Sequence, residues 1–381
     1  MRVISLYQPK ELVFGNNCFE IFLNYFNQLP YKRVLVVADS HVKQFVDKLV
    51  NALENADKKV FVIDFIKSEP TLTVFELVKK MAEEHEIDSV IGLGGGSVLD
   101  VAKLVAALCY IDTPIRDFFD FRSISSRMLF LACLPTTAGT GSEVSPNAIL
   151  LDEKDHLKKG IVSSYLIPDV TYIDPVLTYT VPPAVTAATG LDALVHCIEA
   201  FANKNAHPII DLYALQGIQL IYQNLERAYL NGDDAVARAN VALGSMYGGL
   251  CLGPVNTAAV HALAYPLGSM FKIAHGVANA MILPLVLRTN MGAGAERYAT
   301  IAKAIGCESK QSAIEMAADG ILKIEELCKR VHIPEKLTAY HVSKEDVPKM
   351  TDSAMSIHRL MKNNLQELTR EEIMTIYYKL L

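Results

Sequence analysis

Through the first half of the chain, short apolar runs alternate with amphipathic stretches. Residues 32–39 (KRVLVVAD), 59–64 (KVFVID) and 89–93 (SVIGL) are β-branched runs of the kind that fill strands covered on both faces. Residues 41–56 and 71–84 repeat apolar positions at helical spacing between them. A further run, 128–134 (MLFLACL), and two shorter ones at 148–151 and 170–173 complete this half, which closes at Asp174-Pro175. Such βαβαβ alternation predicts a parallel sheet with helices on both faces and binding sites at the carboxyl ends of its strands.

From Pro182-Pro183 onward the pattern is helical throughout. Helices are expected over 184–202, 208–230, 235–250, 256–270, 276–287 and 295–305, and through the last third to Lys379. The pattern therefore divides the chain into an α/β domain, residues 1–180, and an all-helical domain, residues 181–381. Residues 239–271 contain no Asp, Glu, Lys or Arg, which by length alone suggests a membrane span. Pro254, Asn256, His261, Pro266 and scattered glycines argue instead for buried core helices. There is no internal repeat, low-complexity tract or disordered linker.

Composition supports this picture. At 381 residues the chain exceeds what one core normally fills, and 51% apolar, 20% charged residues and a net charge of −6 describe an ordinary folded protein. That balance predicts neither nucleic-acid nor membrane binding. Seven scattered cysteines without CxxC spacing, and no secretory signal at the N-terminus, point to a reducing cytoplasmic setting.

Candidate chemistry sits at three places. Strand 89–93 runs into Gly94-Gly95-Gly96-Ser97 and directly into a helix. Either the free N–H groups and dipole of that helix start bind a phosphate, or the glycines serve only a tight turn. After strand 128–134 comes Pro135-Thr136-Thr137-Ala138-Gly139-Thr140-Gly141-Ser142, whose hydroxyls and glycines suit close approach to a polar ligand or form a solvent loop. In the helical half, Asp192 and His196 share a helix face at i,i+4, and His261 and His275 lie in apolar surroundings on either side of a predicted helix junction. One carboxylate and three imidazoles suit Fe(II), Zn(II) or a neighbouring first-row ion, with positions left for water or substrate.

Taken together, GGGSVLDVAK, PTTAGTGSEV, ATGLDALVHCIEA and AVHALAYPLGSMFKIAHGVANAMILP resemble the iron-containing (group III) alcohol dehydrogenase family, which includes lactaldehyde reductase and 1,3-propanediol dehydrogenase. The motifs occur in the family's order and cover essentially the whole chain. The resemblance implies an N-terminal dinucleotide-binding domain, an all-helical C-terminal domain of the dehydroquinate synthase-like fold, and a cleft holding NAD(P) and a divalent metal, Fe(II) or alternatively Zn(II). Asp192, His196, His261 and His275 fall on its metal positions. Gly95, Gly96 and Ser97 fall on its pyrophosphate loop, Asp100 one turn further, and Thr136, Thr137, Thr140 and Ser142 on its second cofactor loop. Lys158 matches a lysine near the cofactor, Leu177 an apolar position beside the nicotinamide, and Asn147 a position facing substrate. Asp39 resembles the adenosine-ribose partner, and a carboxylate there favours NAD(H) over NADP(H) by repelling a 2′-phosphate.

One position departs from the family pattern. Many relatives carry HAxAH where this chain has HALAY, so Tyr265, whose phenol can donate or accept a hydrogen bond, replaces a second histidine on the cleft-facing side of the helix. The activity implied is hydride transfer between NAD(H) and a short-chain alcohol or aldehyde, the metal acting as Lewis acid. The small apolar neighbourhood of Leu252, Pro254 and Val255 makes a short-chain substrate the default. A homodimer or larger homo-oligomer is the family expectation. The alternatives are a glycerol-dehydrogenase-like or hydroxy-acid dehydrogenase, or a non-catalytic nucleotide and metal binder. A dehydroquinate-synthase-like activity needs a basic cluster, and the stretch of sequence around the histidines supplies only Lys272.

Overall fold

The computed structural model describes residues 2–66, 69–120, 122–155 and 157–381. It divides into one unit of Leu6–Val181 and a second of Met1–Ser5 with Pro182–Leu381.

In the first unit the chain runs β1 (Glu11–Phe14), α1 (Cys18–Asn27), β2 (Arg33–Ala38), α2 (Lys43–Glu54), β3 (Lys59–Ile63), α3 (Leu72–Glu84), β4 (Ser89–Gly94), α4 (Gly96–Leu108), α5 (Asp117–Asp120), β5 (Phe130–Pro135), β6 (Asn147–Asp152), β7 (Leu157–Val162) and β8 (Val170–Ile173). Six strands form a parallel sheet in the order β1-β8-β5-β4-β2-β3, while β6 and β7 form a separate antiparallel pair. Alternation along each strand feeds two cores. Leu35, Val37 and Val90 pack with Phe75 and Val78 of α3 and Leu99 of α4. Val34, Val36, Ile91 and Leu93 pack on the opposite face with Phe22 and Phe26 of α1 and Leu49 of α2. Burial on both faces is why these strands read as continuous apolar runs.

Two features differ from the pattern reading. Helix α1 was not anticipated, although its Phe19, Phe22 and Phe26 fall on one face, and all three are buried. The 148–151 run does not join the main sheet. It pairs with β7, a strand whose LKKGIV carries a lysine on each face and buries only Ile161.

The second unit is helical: α6 (Pro183–Phe201), α7 (Pro208–Leu230), α8 (Ala235–Leu252), α9 (Ala259–Phe271), α10 (His275–Ala304), α11 (Ala313–Arg330), α12 (Val347–Ser356), α13 (His358–Met361) and α14 (Arg370–Lys379). Helix α6 is long and apolar enough to cross a membrane by composition, yet 83% of that window is buried inside the protein. The helices expected over 276–287 and 295–305 are one element, α10, locally unwound at Gly294 (φ −132°, ψ 23°). A Cβ at Gly294 would lie 2.3 Å from Leu365 Cδ1, so glycine permits the close approach there. At the start of the chain, the Arg2 guanidinium ties the N-terminal segment to this unit by donating to the carbonyls of Asn205 (2.7 Å) and Pro254 (2.8 Å).

Candidate metal centre and nucleotide site

Three helices bring the acidic and imidazole side chains together. Asp192 and His196 lie one turn apart on α6, His261 is buried early in α9, and His275 is the first residue of α10. The glycine after His275 makes this meeting possible. A Cβ on Gly276 would stand 2.1 Å from the Ala188 carbonyl oxygen, so only glycine lets the start of α10 press against α6 one turn before Asp192.

Asp192 Oδ1 lies 3.6 Å from His261 Nε2, 3.7 Å from His275 Nε2 and 3.9 Å from His196 Nε2. The donor atoms of Asp192, His261 and His275 all fall within 4.8 Å of one another. The His196 ring stacks on His261 at 4.8 Å, and His275 meets His261 edge-on at 5.2 Å. Asp192, His196 and His261 are sealed from solvent, while the His275 side chain is 28% exposed. Burial would push the Asp192 carboxyl up, but the three imidazoles hold it well below the usual carboxylate range. Burial would likewise lower the His261 imidazole, but Asp192 and Glu199 together push it up to about 10.

Two residues that motif reading overlooked complete the cluster. Glu199 accepts a hydrogen bond from the Val260 N–H and pairs with His261 Nδ1, both at 2.6 Å. This turns Nε2 toward Asp192, the arrangement by which a carboxylate orients a ligating histidine. Asn279, one turn beyond His275 on α10, places its amide nitrogen 2.6 Å from Asp192 Oδ1 and 3.2 Å from Nε2 of both His261 and His275. Its Oδ1 is buried without a hydrogen-bond partner among the described residues. One carboxylate oxygen and two imidazole Nε2 atoms thus crowd around a single amide nitrogen, a donor set that fits a divalent cation once the imidazoles are neutral. The signals were present: Glu199 continues the Asp192–His196 face at i+7, and Asn279 stands at i+4 from His275.

In the sheet unit, three loops leave the carboxyl ends of neighbouring strands. Asp39 follows β2, Gly95 follows β4 and Thr136 follows β5, with Ala38 paired to Leu93 and Gly94 to Pro135. The α4 N-terminus has no side-chain cap, and a Cβ on Gly96 would stand 2.4 Å from Thr140 Cγ2. The uncapped first turn of α4 thus lies close against Thr137 and Thr140, and free N–H groups at a helix start suit a pyrophosphate. Asp39 accepts from the His41 N–H at 2.9 Å and lies 2.8 Å from His41 Nδ1.

Other expected cofactor positions are committed internally. Asp100 accepts hydrogen bonds from Ser142 Oγ (2.5 Å) and the Ile149 N–H (2.9 Å), joining the loop to β6. Fully buried Lys103, also overlooked, donates to the carbonyls of Ser142 (2.8 Å), Ser145 (2.9 Å) and Asn147 and to Ser142 Oγ (3.1 Å). Asn147 opens β6 with its Oδ1 buried and without a hydrogen-bond partner among the described residues. Lys158 on β7 is paired with Glu69, and Leu177 is buried in the core with Ile91, Leu93 and Leu134. In the helical unit, the Tyr265 ring packs 5.8 Å from the His275 ring, and its hydroxyl accepts a hydrogen bond from Arg359 Nη2 at 3.3 Å.

Family profiles for iron-containing alcohol dehydrogenase and for the C-terminal part of the Fe-containing alcohol dehydrogenase family match residues 9–175 and 186–381. The chain belongs to the iron-containing alcohol dehydrogenase family. Long-chain-alcohol dehydrogenase 1 of Geobacillus thermodenitrificans is 36% identical over 92% of this chain and 90% of its own length. The 1,3-propanediol dehydrogenase of Klebsiella pneumoniae is 31% identical over 96% and 97%. The crystal structure of a 1,3-propanediol oxidoreductase superposes with a TM-score of 0.95 at 30% identity, covering both chains fully. As an iron-containing alcohol dehydrogenase, the protein is a metal-dependent, NAD(H)-linked oxidoreductase acting on a short-chain alcohol or aldehyde, with Fe(II) and NAD as its cofactors.

Proposed function

We propose that the protein interconverts a short-chain primary alcohol or diol and its aldehyde, with Asp192, His196, His261 and His275 as the metal ligands. The convergence of Asp192, His261 and His275 around Asn279, with His196 Nε2 at 3.9 Å from Asp192 Oδ1, carries the reading. When bound, the metal supplies Lewis-acid polarisation of the substrate oxygen and the nicotinamide supplies the hydride carrier. The chain's own residues do the rest. Glu199 holds the His261 tautomer, and the apolar packing around α6, α9 and α10 keeps water from the ligands. Gly95, Gly96 and Ser97 receive the pyrophosphate, with Thr136, Thr137, Thr140 and Ser142 forming the opposite wall and Asp100 bracing Ser142.

Asp39 is assigned to the adenosine ribose, Lys158 and Leu177 to the cofactor's surroundings, and Asn147 and Tyr265 to the substrate. Zn(II) suits the same mixed oxygen and nitrogen donors as Fe(II). Seven free cysteines support a reducing, cytoplasmic setting, and family membership supports a homodimer or larger homo-oligomer.

The test is NADH and NADPH oxidation across a panel of aldehydes, with metal content measured on protein purified without chelator. Metal-dependent turnover with NADH preferred is expected, and Asp39→Gly narrows that preference at least tenfold. Undiminished activity after removal of the metal overturns the reading.

A further inference from the structure

The ligand set opens on one side only. Asp192, His196 and His261 are sealed, and His275 alone keeps appreciable exposure, so a substrate approaches along the His275 edge. Tyr265 packs on that edge, and its hydroxyl is held by the half-buried Arg359 of α13. The bond to Tyr265 uses one of five guanidinium N–H groups. Among the described residues no carboxylate pairs with Arg359, whereas Arg288, Arg297, Arg330 and Arg370 of the same unit each hold one. A cation left without a counter-ion beside the open edge of a metal centre is a receptor for an anion, and the planar guanidinium fork matches a carboxylate bidentately.

We infer that Arg359, steadied by Tyr265, is a specificity-determining residue that selects aldehydes bearing a carboxylate at the end remote from the carbonyl. This rests on the dehydrogenase reading above and names its substrate class. The reaction is otherwise unchanged: NADH gives hydride to the carbonyl carbon, a proton goes to its oxygen, and the carboxylate stays intact.

The experiment compares 4-oxobutanoate with butanal, equal in chain length, on the metal-loaded enzyme with NADH. Wild type is expected to favour 4-oxobutanoate at least tenfold in kcat/KM, through KM, with a preference that shrinks as ionic strength rises. Arg359→Met lowers the ratio 10- to 100-fold and Arg359→Lys restores part of it, because lysine keeps the charge but not the fork. A wild-type ratio at or below one overturns the inference. So does an equal loss on both aldehydes in Arg359→Met, which would mean that Arg359 only anchors Tyr265. Calorimetric binding of 4-oxobutanoate runs alongside. If neither aldehyde turns over, the dehydrogenase reading fails, while binding that Arg359→Met abolishes still supports the anion receptor and absence of binding to wild type removes it.

Discussion

Glu199 shows how far a single buried carboxylate can reach. It touches no substrate, yet its bond to His261 Nδ1 decides which imidazole nitrogen faces Asp192. Glu199→Gln keeps the volume and removes the charge. Apparent affinity for Fe(II) or Zn(II) is expected to fall about 10- to 100-fold, read by competition with a chromophoric chelator, while the circular dichroism of the folded protein is unchanged. His261 adds a pH dependence whose sign follows from its neighbours. Asp192 and Glu199 push its imidazole up to about 10 in the metal-free protein, which favours the protonated ring at neutral pH, and a metal takes only the neutral ring. Metal affinity should therefore climb as pH rises from about 6.5 toward 10, by up to about tenfold per pH unit, and flatten above it. A flat profile across that range would show that no proton leaves His261 on binding.

Helix α4 works as both floor and clamp of the proposed nucleotide loops. Its N-terminus offers uncapped N–H groups beside Thr140, and its third turn carries Lys103, whose ammonium gathers three carbonyls from the segment Ser142–Asn147. Burial lowers the Lys103 pKa, and the nearby Asp100 carboxylate opposes that shift. Lys103→Met keeps an apolar stem but leaves those carbonyls and the Asp100 carboxylate without their cation. Chemical denaturation should show a loss of roughly 3–5 kcal/mol, the cost of breaking a buried ion pair from one side. NADH affinity, followed by its fluorescence, should fall with it as the Thr136–Ser142 loop loosens. An unaltered NADH affinity would separate the clamp from the cofactor loop.

Across the molecule, the two chemistries are carried by different units. The proposed nucleotide contacts lie within Leu6–Val181 and the proposed ligands within the helical unit. Chelation should therefore abolish turnover while NADH binding persists within about twofold, and Fe(II) or Zn(II) should restore activity. Loss of NADH binding on chelation would instead tie the nucleotide site to the metal.

Much of this was legible from residue order alone. Periodicity placed β2, β3, β4, β5 and β8 and announced the change to helices near Pro182, because a strand buried on both faces and an amphipathic helix leave unmistakable patterns. Asp192 and His196 were readable as a pair because helical geometry puts i and i+4 on one face whatever surrounds them. Their meeting with His261 and His275 was an expectation drawn from the rarity of such groups in apolar helices and from the family resemblance, not from local geometry, since it depends on α9 and α10 packing against α6 at Gly276, a close approach that no local rule encodes. Nor does a local rule encode Glu199 beside His261, Lys103 spanning to Asn147, or Arg359, 94 positions from Tyr265 yet bonded to its hydroxyl. Local chemistry is written in the order of residues, whereas the convergence of groups distant along the chain belongs to the packing that buries them.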